Sequence, residues 1–406
     1  MLGQATPLRA STGCKPGHRL AYTLIVSFAV LSEAEVRVRV SASPAVELDA
    51  ALAGLPSTHL SDDAAWASHS LLFTELRSRN TSRALPHFYV LGAAKAGSTD
   101  LYAHICEHPR VDCSGPKERR VWTAYLKHVH QAYRHPSSLQ RVLPALIHQL
   151  TQPVEAPRSV FGDATPEYLN GWLMDDNWDR SRFASAWRQN TTVVRACLPH
   201  VIKLAHPQGV PLIAILREPV QRSWSHYRYI FGDIMHQHPS EADFDALVHA
   251  ELRSYLLCER DHGLRCAFGL ANGYSHATRY AAGSGKLGLH VGMYAAHLQV
   301  WRSYHGELVL PLCFDDLISK PAAVLQRVYR HLGLVTKDAR VAHQATQWQP
   351  RNPTTAGTGL AMLNRTADQL HAFYAPHNNM LRWLMPKMGV AACGWALPQP
   401  VQRARC

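Results

Sequence analysis

The chain has 406 residues, of which 47% are hydrophobic, and its formal net charge is +12 at pH 7. This apolar content is enough for a large core and excludes wholesale disorder. The charge favours a polyanionic partner such as an acidic polysaccharide, a nucleic acid or an anionic membrane. No nucleic-acid partner is expected, because the sequence lacks both a long Lys/Arg run and an aromatic RNA-binding motif.

The amino-terminal region has the pattern of a targeting segment. Residues 20–32 are apolar, basic side chains precede them, and Glu33 and Glu35 follow. This order is typical of a signal peptide or of a single-pass signal anchor with a lumenal carboxyl side. Both alternatives stay open, since the run is shorter than the ~20 residues that span a bilayer. Residues 1–19 are then expected to be a cytosolic basic tail, and residues 33–85 a stem.

Two further features fit a lumenal chain. Asn-x-Ser/Thr triplets at Asn80, Asn190 and Asn364 predict glycosylation. Among nine cysteines, Cys258 and Cys266 are the pair expected to be bridged, because they are close in sequence and flanked by polar loop residues. The other seven show no clear pairing, and an odd total leaves at least one thiol free or intermolecular.

Residues 86–390 are expected to form one catalytic domain, followed by a tail over residues 391–406. Short apolar strands alternate with helical patterns, which predicts an α/β fold with a central parallel sheet flanked by helices. A stretch rich in Thr, Gly, Pro and Asn, residues 345–362, predicts a long functional loop. The predicted elements are strand 87–91, helix 98–108, helix 197–205, strand 211–216, helix 219–231, helix 292–304, strand 307–312 and helix 321–332.

The segment HFYVLGAAKAGSTDLY, residues 87–102, predicts an anion-binding loop. An apolar strand runs into a turn of small residues, and a helix begins near Ser98. Backbone amides in such a turn, together with the helix amino terminus, form a pocket for an anion. Lys95 adds a positive charge at the turn, while Ser98 and Thr99 add hydroxyl donors.

The same segment differs from a nucleotide-kinase loop, which reads G-x-x-x-x-G-K-[ST]. Gly92 and Gly97 have the kinase spacing, but Ser98 stands where the lysine would be. No acidic partner for Mg²⁺ follows a predicted strand, and the histidines lack metal-ligand spacing. The loop therefore favours a phosphate-like group bound without a metal. A P-loop nucleotide kinase and a non-catalytic glycan-binding protein remain as alternatives.

A second anion site is predicted in residues 212–229. Arg217 follows a buried strand, at the carboxyl end where open α/β sheets bind ligands. Pro219 then begins a helix, and Ser225 lies about two turns into it. Arg217 and Ser225 are expected to converge on one phosphate. Arg222 and Arg228 are expected to face solvent or to form salt bridges.

These two motifs together resemble those of the Golgi carbohydrate sulfotransferases, whose fold is P-loop-like. Residues 94–101 are similar to the 5′-phosphosulfate loop of that family, and residues 217–227 match its 3′-phosphate motif, R-[DE]-P-x-x-R-x-x-S-x-Y, in full. Within the family the chain is most similar to the N-acetylgalactosamine 4-sulfate 6-O-sulfotransferases of chondroitin sulfate. Further similar segments are HPRV (108–111), Lys117-Glu118, GDATPEY (162–168), GMYAAHLQVW (292–301), DDLISKP (315–321), HLGL (331–334) and FYAPHN (373–378).

The resemblance implies 3′-phosphoadenosine 5′-phosphosulfate (PAPS) as sulfuryl donor, no required metal, an anionic glycan acceptor and a Golgi lumenal location. Lys95 is implied to contact the phosphosulfate and to stabilise the leaving phosphate. Arg217 and Ser225 are implied to hold the 3′-phosphate. The full set of implied donor contacts is Lys95, Ala96, Gly97, Ser98, Thr99, Asp100, Arg217, Ser225 and Arg351.

Glu118 is implied to be the catalytic base, because it matches the position of the base in related heparan sulfotransferases. Asp163 is the alternative, either as a base or as a residue that positions Lys95. Two departures from the family concern the acceptor side of the cleft. Ala164 stands where the heparan enzymes carry a lysine, and the run that reads KEPHWW in the family is KERRVW at residues 117–122.

Overall fold

Four parallel strands form the central sheet, in the order β4-β2-β5-β6. Every residue of β2, β5 and β6 is buried, as expected for strands covered on both faces. A separate antiparallel pair joins β1 to β3. The strands are β1 (Arg83–Ala84), β2 (Phe88–Gly92), β3 (Gln152–Pro153), β4 (Gly162–Asp163), β5 (Leu212–Leu216) and β6 (Val309–Cys313).

This structure is a computed structural model, and it describes residues 83–132, 136–153, 159–170, 198–262, 267, 287–334 and 359–395. All of them belong to one compact unit of the chain, Pro44–Cys406. In the described ranges, no helix combines the length and apolar character that crossing a membrane requires. Several predicted features lie outside the described residues, namely the apolar segment 20–32, the stem, Asn80, Asn190, Cys266, Arg351 and most of the loop 345–362.

The helices flank the sheet, which confirms the predicted α/β class. They are α1 (Ser98–Cys106), α2 (Val121–Ala132), α3 (Pro136–Leu150), α4 (Leu198–Ala205), α5 (Pro219–Arg228), α6 (Glu241–His262), α7 (Tyr294–His305), α8 (Phe314–Ser319), α9 (Pro321–His331) and α10 (Asn364–Lys387). Short 3₁₀ turns cover Pro166–Tyr168, Leu289–Gly292 and Gly306–Leu308, and a π-helical turn, Tyr229–Ile234, directly follows α5.

The predicted strands and the helices α1, α4, α5, α7 and α9 are confirmed to within a few residues at their ends. The sequence analysis missed α2, α3, α6, α8 and α10. Pro376 and Pro386 lie inside α10, and proline ordinarily argues against a helix interior. The predicted helix 219–231 changes at Tyr229 into the wider π turn.

A second apolar cluster lies beside the main one, which surrounds the sheet. Its members include Phe244, Tyr255 and Tyr374. Arg222 is fully buried beside this cluster, so the prediction that it faces solvent or forms a salt bridge is wrong. Its guanidinium donates instead to the Gly288 carbonyl, at 2.9 Å.

The described residues contain two disulfides, Cys106–Cys113 and Cys313–Cys393, between cysteines for which the sequence showed no pairing. Cys313 ends β6, and Cys393 belongs to the segment predicted as a tail. Trp395 from that segment is also buried, and its indole donates to the Asp315 carboxylate at 3.1 Å. These residues therefore pack against the carboxyl end of the sheet.

Candidate functional site

The turn between β2 and α1 is tied to the centre of the sheet. The amide of Ala93 donates to the Ile215 carbonyl of β5, at 2.7 Å. Gly97 precedes α1 with φ +89°, and a Cβ there would lie 2.6 Å from the Phe314 ring. No side chain caps the amino end of α1. The turn thus needs glycine at residue 97 and leaves the start of α1 available to an anion.

Lys95 lies within this turn, in a left-handed conformation with φ +63°. Its ammonium is 4.0 Å from the centre of the Tyr229 ring, within the range of a cation–π interaction. Burial lowers the pKa of Lys95 to about 8, and the positive charges of Arg217 and Arg228 act in the same direction against the raising effect of Asp233. An anion at this position would relieve that repulsion.

Arg217 reaches the same turn from β5. Its guanidinium donates to the Lys95 carbonyl at 3.4 Å and lies 5.1 Å from the centre of the Phe314 ring. Its own carbonyl accepts from the Tyr294 hydroxyl at 2.8 Å. Burial lowers the pKa of Arg217. The structure therefore brings together the two anion motifs that the sequence treated separately.

The other residues of the two motifs lie on the helices that start at this edge. Ser98 and Asp100 are buried in the first turn of α1, and Ser225 is buried on α5. Arg217 precedes α5, and Ser225 lies six residues after its first residue, Pro219, about 9 Å along an ideal helix axis. Their convergence on one phosphate stays a prediction.

Glu118 is held between two cations. Its carboxylate accepts from the Lys117 ammonium at 2.8 Å and from the Arg120 guanidinium at 2.7 Å. Burial alone would raise the pKa of Glu118, but the hydrogen bonds and charges of Lys117 and Arg120 outweigh it and leave this pKa below its ordinary value. Glu118 is therefore a firmly ionised carboxylate.

Asp163 links the segment that carries Glu118 to the sheet. Its side chain is fully buried and accepts from the Arg119 amide at 3.1 Å, from the Thr165 hydroxyl at 2.7 Å and from the Tyr168 hydroxyl at 2.8 Å. Burial raises the pKa of Asp163. Asp163 thus supports the segment that carries Glu118, and its alternative assignment as a base stays a prediction that its burial and its three accepted hydrogen bonds do not favour.

Glu167, which the sequence analysis did not single out, is a second carboxylate beside Arg120. Its Oε1 lies 3.6 Å from the Arg120 guanidinium, while its buried Oε2 has no hydrogen-bond partner among the described residues. Burial raises the pKa of Glu167. The signal in the sequence was its place in the GDATPEY motif, three residues after the Ala164 departure.

The site therefore has a cationic side and a carboxylate side. The Lys95 ammonium contacts the Tyr229 ring on the cationic side, and Arg120 lies between Glu118 and Glu167 on the carboxylate side. Such a cleft suits a doubly charged anion on one side and a hydroxyl group that must lose its proton on the other. Across the part of the chain that is described, no group of three or more His, Cys, Asp or Glu side chains could hold a metal ion.

Comparison with known proteins finds sulfotransferases as relatives of this chain. Carbohydrate sulfotransferase 15 from Mus musculus is 26% identical over 318 residues, which are 74% of this chain and 53% of that protein. The human protein of the same name has the same identity and coverage. The membrane-associated sulfotransferase kil1 from Dictyostelium discoideum is 27% identical over 184 residues, 44% of this chain and 30% of that protein. The chain spans about half the length of the carbohydrate sulfotransferases that it matches.

Among solved structures, a sulfotransferase from Alicyclobacillus acidocaldarius aligns with a TM-score of 0.42 and 19% identity, over 74% of this chain and 96% of that one. No protein-family model matches the chain. The sequence relationship extends over about three quarters of the chain, and the motifs that prompted the resemblance lie within the described domain. The chain is therefore similar in sequence to carbohydrate sulfotransferases, the class of protein that its two anion motifs resemble.

Proposed function

We propose that the chain transfers a sulfuryl group from PAPS to a hydroxyl of an anionic glycan. The observation that carries this proposal is the hydrogen bond from the Arg217 guanidinium to the Lys95 carbonyl, which joins the two anion motifs at one edge of the sheet. One nucleotide with a phosphate at the 3′ position and a phosphosulfate at the 5′ position carries an anionic group for each of the two motifs.

On the donor side, Lys95 and the amides of Ala96, Gly97, Ser98 and Thr99 would bind the phosphosulfate. Arg217 and Ser225 would bind the 3′-phosphate, with Asp100 and Arg351 as further contacts. The absence of a side-chain cap at α1 supports this role, because a helix amino terminus favours an anion there. The partly buried Lys95 would stabilise the charge that develops on the leaving phosphate.

The reaction we propose is an in-line displacement. The acceptor oxygen forms a bond to sulfur as the bond from sulfur to the phosphate oxygen breaks, and adenosine 3′,5′-bisphosphate leaves with the electron pair. A glutamate beside Arg120 takes the proton of the acceptor hydroxyl. The resemblance implies Glu118 for this role, and its hydrogen bonds with Lys117 and Arg120 support a position beside those two cations.

The acceptor we propose is an acidic, glycosaminoglycan-like polysaccharide of the N-acetylgalactosamine 4-sulfate 6-O type. The net charge of +12 supports a polyanionic acceptor, and the similarity to carbohydrate sulfotransferases supports a carbohydrate acceptor. We also propose a Golgi lumenal location for the domain 86–390, with residues 20–32 as a signal anchor or a cleaved signal.

Two measurements test the proposal. The first compares the thermal shift of the protein with adenosine 3′,5′-bisphosphate and with Mg²⁺-ATP. Stabilisation by the bisphosphate alone is expected, whereas stabilisation by Mg²⁺-ATP alone would favour the kinase alternative. The second measures transfer of radiolabelled sulfate from PAPS to a panel of sulfated, desulfated and neutral glycans. Binding of the bisphosphate without transfer to any glycan would favour the non-catalytic alternative.

The variant Glu118→Gln examines the carboxylate side. It is expected to bind adenosine 3′,5′-bisphosphate normally, because the hydrogen bonds of Glu118 go to Lys117 and Arg120 and not to residues of the donor motifs, and to lose transfer. Near-normal turnover by Glu118→Gln would remove this residue from the catalytic site.

A further inference from the structure

Two glutamates share one arginine at the acceptor side of the cleft. Arg120 contacts the Glu118 carboxylate at 2.7 Å and the Glu167 carboxylate at 3.6 Å. Arg120 itself has φ +53°, a left-handed conformation that is costly for a residue with a Cβ. It is one of three such non-glycine residues in the described ranges, and Lys95 is another. The fold thus holds a strained arginine between two carboxylates next to the donor loop.

The two carboxylates have opposite surroundings. Glu118 makes hydrogen bonds to both Lys117 and Arg120, so both of its oxygens are occupied by cations. Glu167 has one oxygen beside Arg120 and one buried oxygen without a partner among the described residues. The negative charge is therefore compensated by direct hydrogen bonds from two cations at Glu118 and by a longer contact with one of them at Glu167.

This difference bears on which group can take a proton. A general base is most effective when its pKa lies near the working pH, whereas a carboxylate stabilised by two cations is a weak base. Burial raises the pKa of Glu167 and its negative neighbour Glu118 acts in the same direction, while a hydrogen bond from its own backbone amide and the charges of Arg120 and Lys117 oppose them. The same two cations lower the pKa of Glu118.

Glu167 also belongs to a turn that borders the donor loop. It sits in the 3₁₀ turn Pro166–Tyr168, and the Pro166 carbonyl would be only 2.3 Å from a Cβ at Gly92, the last residue of β2. That turn is therefore packed against the start of the donor loop. The Glu167 side chain keeps 31% of its surface exposed, and this surface excludes the buried Oε2.

We infer that Glu167 accepts the proton of the acceptor hydroxyl, while Glu118 acts as a positioning residue that fixes Arg120. This inference rests on the proposed sulfuryl transfer. As the acceptor oxygen bonds to sulfur, its O–H bond breaks and the proton joins the Glu167 carboxylate. It passes to solvent after the bisphosphate has left.

The test measures kcat against pH for wild type, Glu167→Gln, Glu118→Gln and the control Glu307→Gln. Glu307 is exposed at the amino end of β6, away from the carboxyl edge that forms the site. Glu167→Gln is expected to lower kcat by about 10²–10⁴-fold and to keep adenosine 3′,5′-bisphosphate affinity within about twofold. It should also lose the acidic limb of the profile, which is the decrease of kcat at low pH caused by protonation of the base. Glu118→Gln is expected to lose kcat but to keep an acidic limb in its residual activity.

A rescue experiment separates a base from a structural residue. Formate added to Glu167→Ala is expected to restore transfer in proportion to its concentration, because a small carboxylate can occupy the vacated position and take the proton. Formate added to Glu118→Ala is expected to have no effect, since a free anion does not fix Arg120. Both variants must keep the wild-type melting temperature to within a few degrees for the comparison to count.

Two outcomes would overturn the inference. One is near-normal kcat in Glu167→Gln. The other is loss of the acidic limb and formate rescue at residue 118 in place of residue 167. Either result leaves sulfuryl transfer by the wild type intact, whereas failure of the wild type to bind the bisphosphate and to transfer sulfate would refute the proposed function itself.

Discussion

The charge state of Lys95 should control binding of the donor product within an accessible pH range. Burial lowers the pKa of this ammonium from the ordinary 10.5 to about 8. A lysine with a pKa of about 8 is about 90% charged at pH 7 and about 10% charged at pH 9, whereas an ordinary lysine stays charged at both. If only the charged form holds the 5′-phosphate, affinity for adenosine 3′,5′-bisphosphate falls by up to about tenfold between these pH values.

Bisphosphate affinity should decrease as the pH rises, because the lowered pKa of Lys95 puts its loss of charge near pH 8. A bound phosphate favours the ammonium form, so the affinity is fully present below the pKa of the free protein and decreases as the pH rises through about 8. The ligand contributes little to this change, because the second pKa of a phosphate monoester is near 6 and both phosphates are dianionic throughout.

The assay is isothermal titration of the bisphosphate at several pH values between 7 and 9, at constant ionic strength. Lys95→Arg is the informative variant, because arginine stays charged over this range; its affinity should be independent of pH. Lys203→Ala on α4 is the control for a lysine outside the site and should keep the wild-type slope. A flat wild-type profile, or an equal slope in Lys95→Arg, would refute the reasoning.

Two further predictions concern the support of the site. Tyr229→Leu removes the ring that faces the Lys95 ammonium at 4.0 Å, so the pH at which bisphosphate affinity is lost should fall below about 8. Tyr229→Phe keeps the ring face and should match wild type. If both variants lost affinity at the same pH, the result would contradict the cation–π contact. Replacing both cysteines of Cys313–Cys393 by serine should reduce the free energy of unfolding, measured in denaturant, by about 2 kcal/mol more than the same change at Cys106–Cys113. In the chain-entropy model a disulfide stabilises more when it closes a longer loop, and the two sequence separations are 80 and 7 residues. An equal loss in both double variants would count against that account.

The sequence was informative where one short segment specifies both conformation and chemistry. The runs FYVLG and LIAIL are apolar along their whole length, which is the pattern of strands buried on both faces, and both are strands of the central sheet. The small residues and Lys95 after the first strand, and Arg217 after the second, predicted the two anion motifs without any knowledge of the distance between them.

The sequence was less informative where an outcome depends on partners distant along the chain. Arg222 follows Arg217 by five residues and was expected at the surface, yet carbonyl groups more than sixty residues away accept its hydrogen bonds in the core. Cys313 pairs with Cys393 across 80 residues, and no spacing rule indicates such a pair. The helix α10 forms in spite of two internal prolines, since its first half packs into the second cluster through Leu370 and Tyr374 and its second half packs into the main cluster.

The sequence by itself determined the α/β class and the similarity to carbohydrate sulfotransferases, and it predicted the two anion motifs, because each rests on residues that are neighbours in the chain. Only the tertiary structure decided that Lys95 and Arg217 meet, that Asp163 is a buried support, and that Arg120 lies between Glu118 and Glu167. The physical reason is that the pKa and the role of a carboxylate depend on burial and on charges a few ångströms away. The parallel strands fix those neighbours, since they bring separate segments to one edge of the sheet.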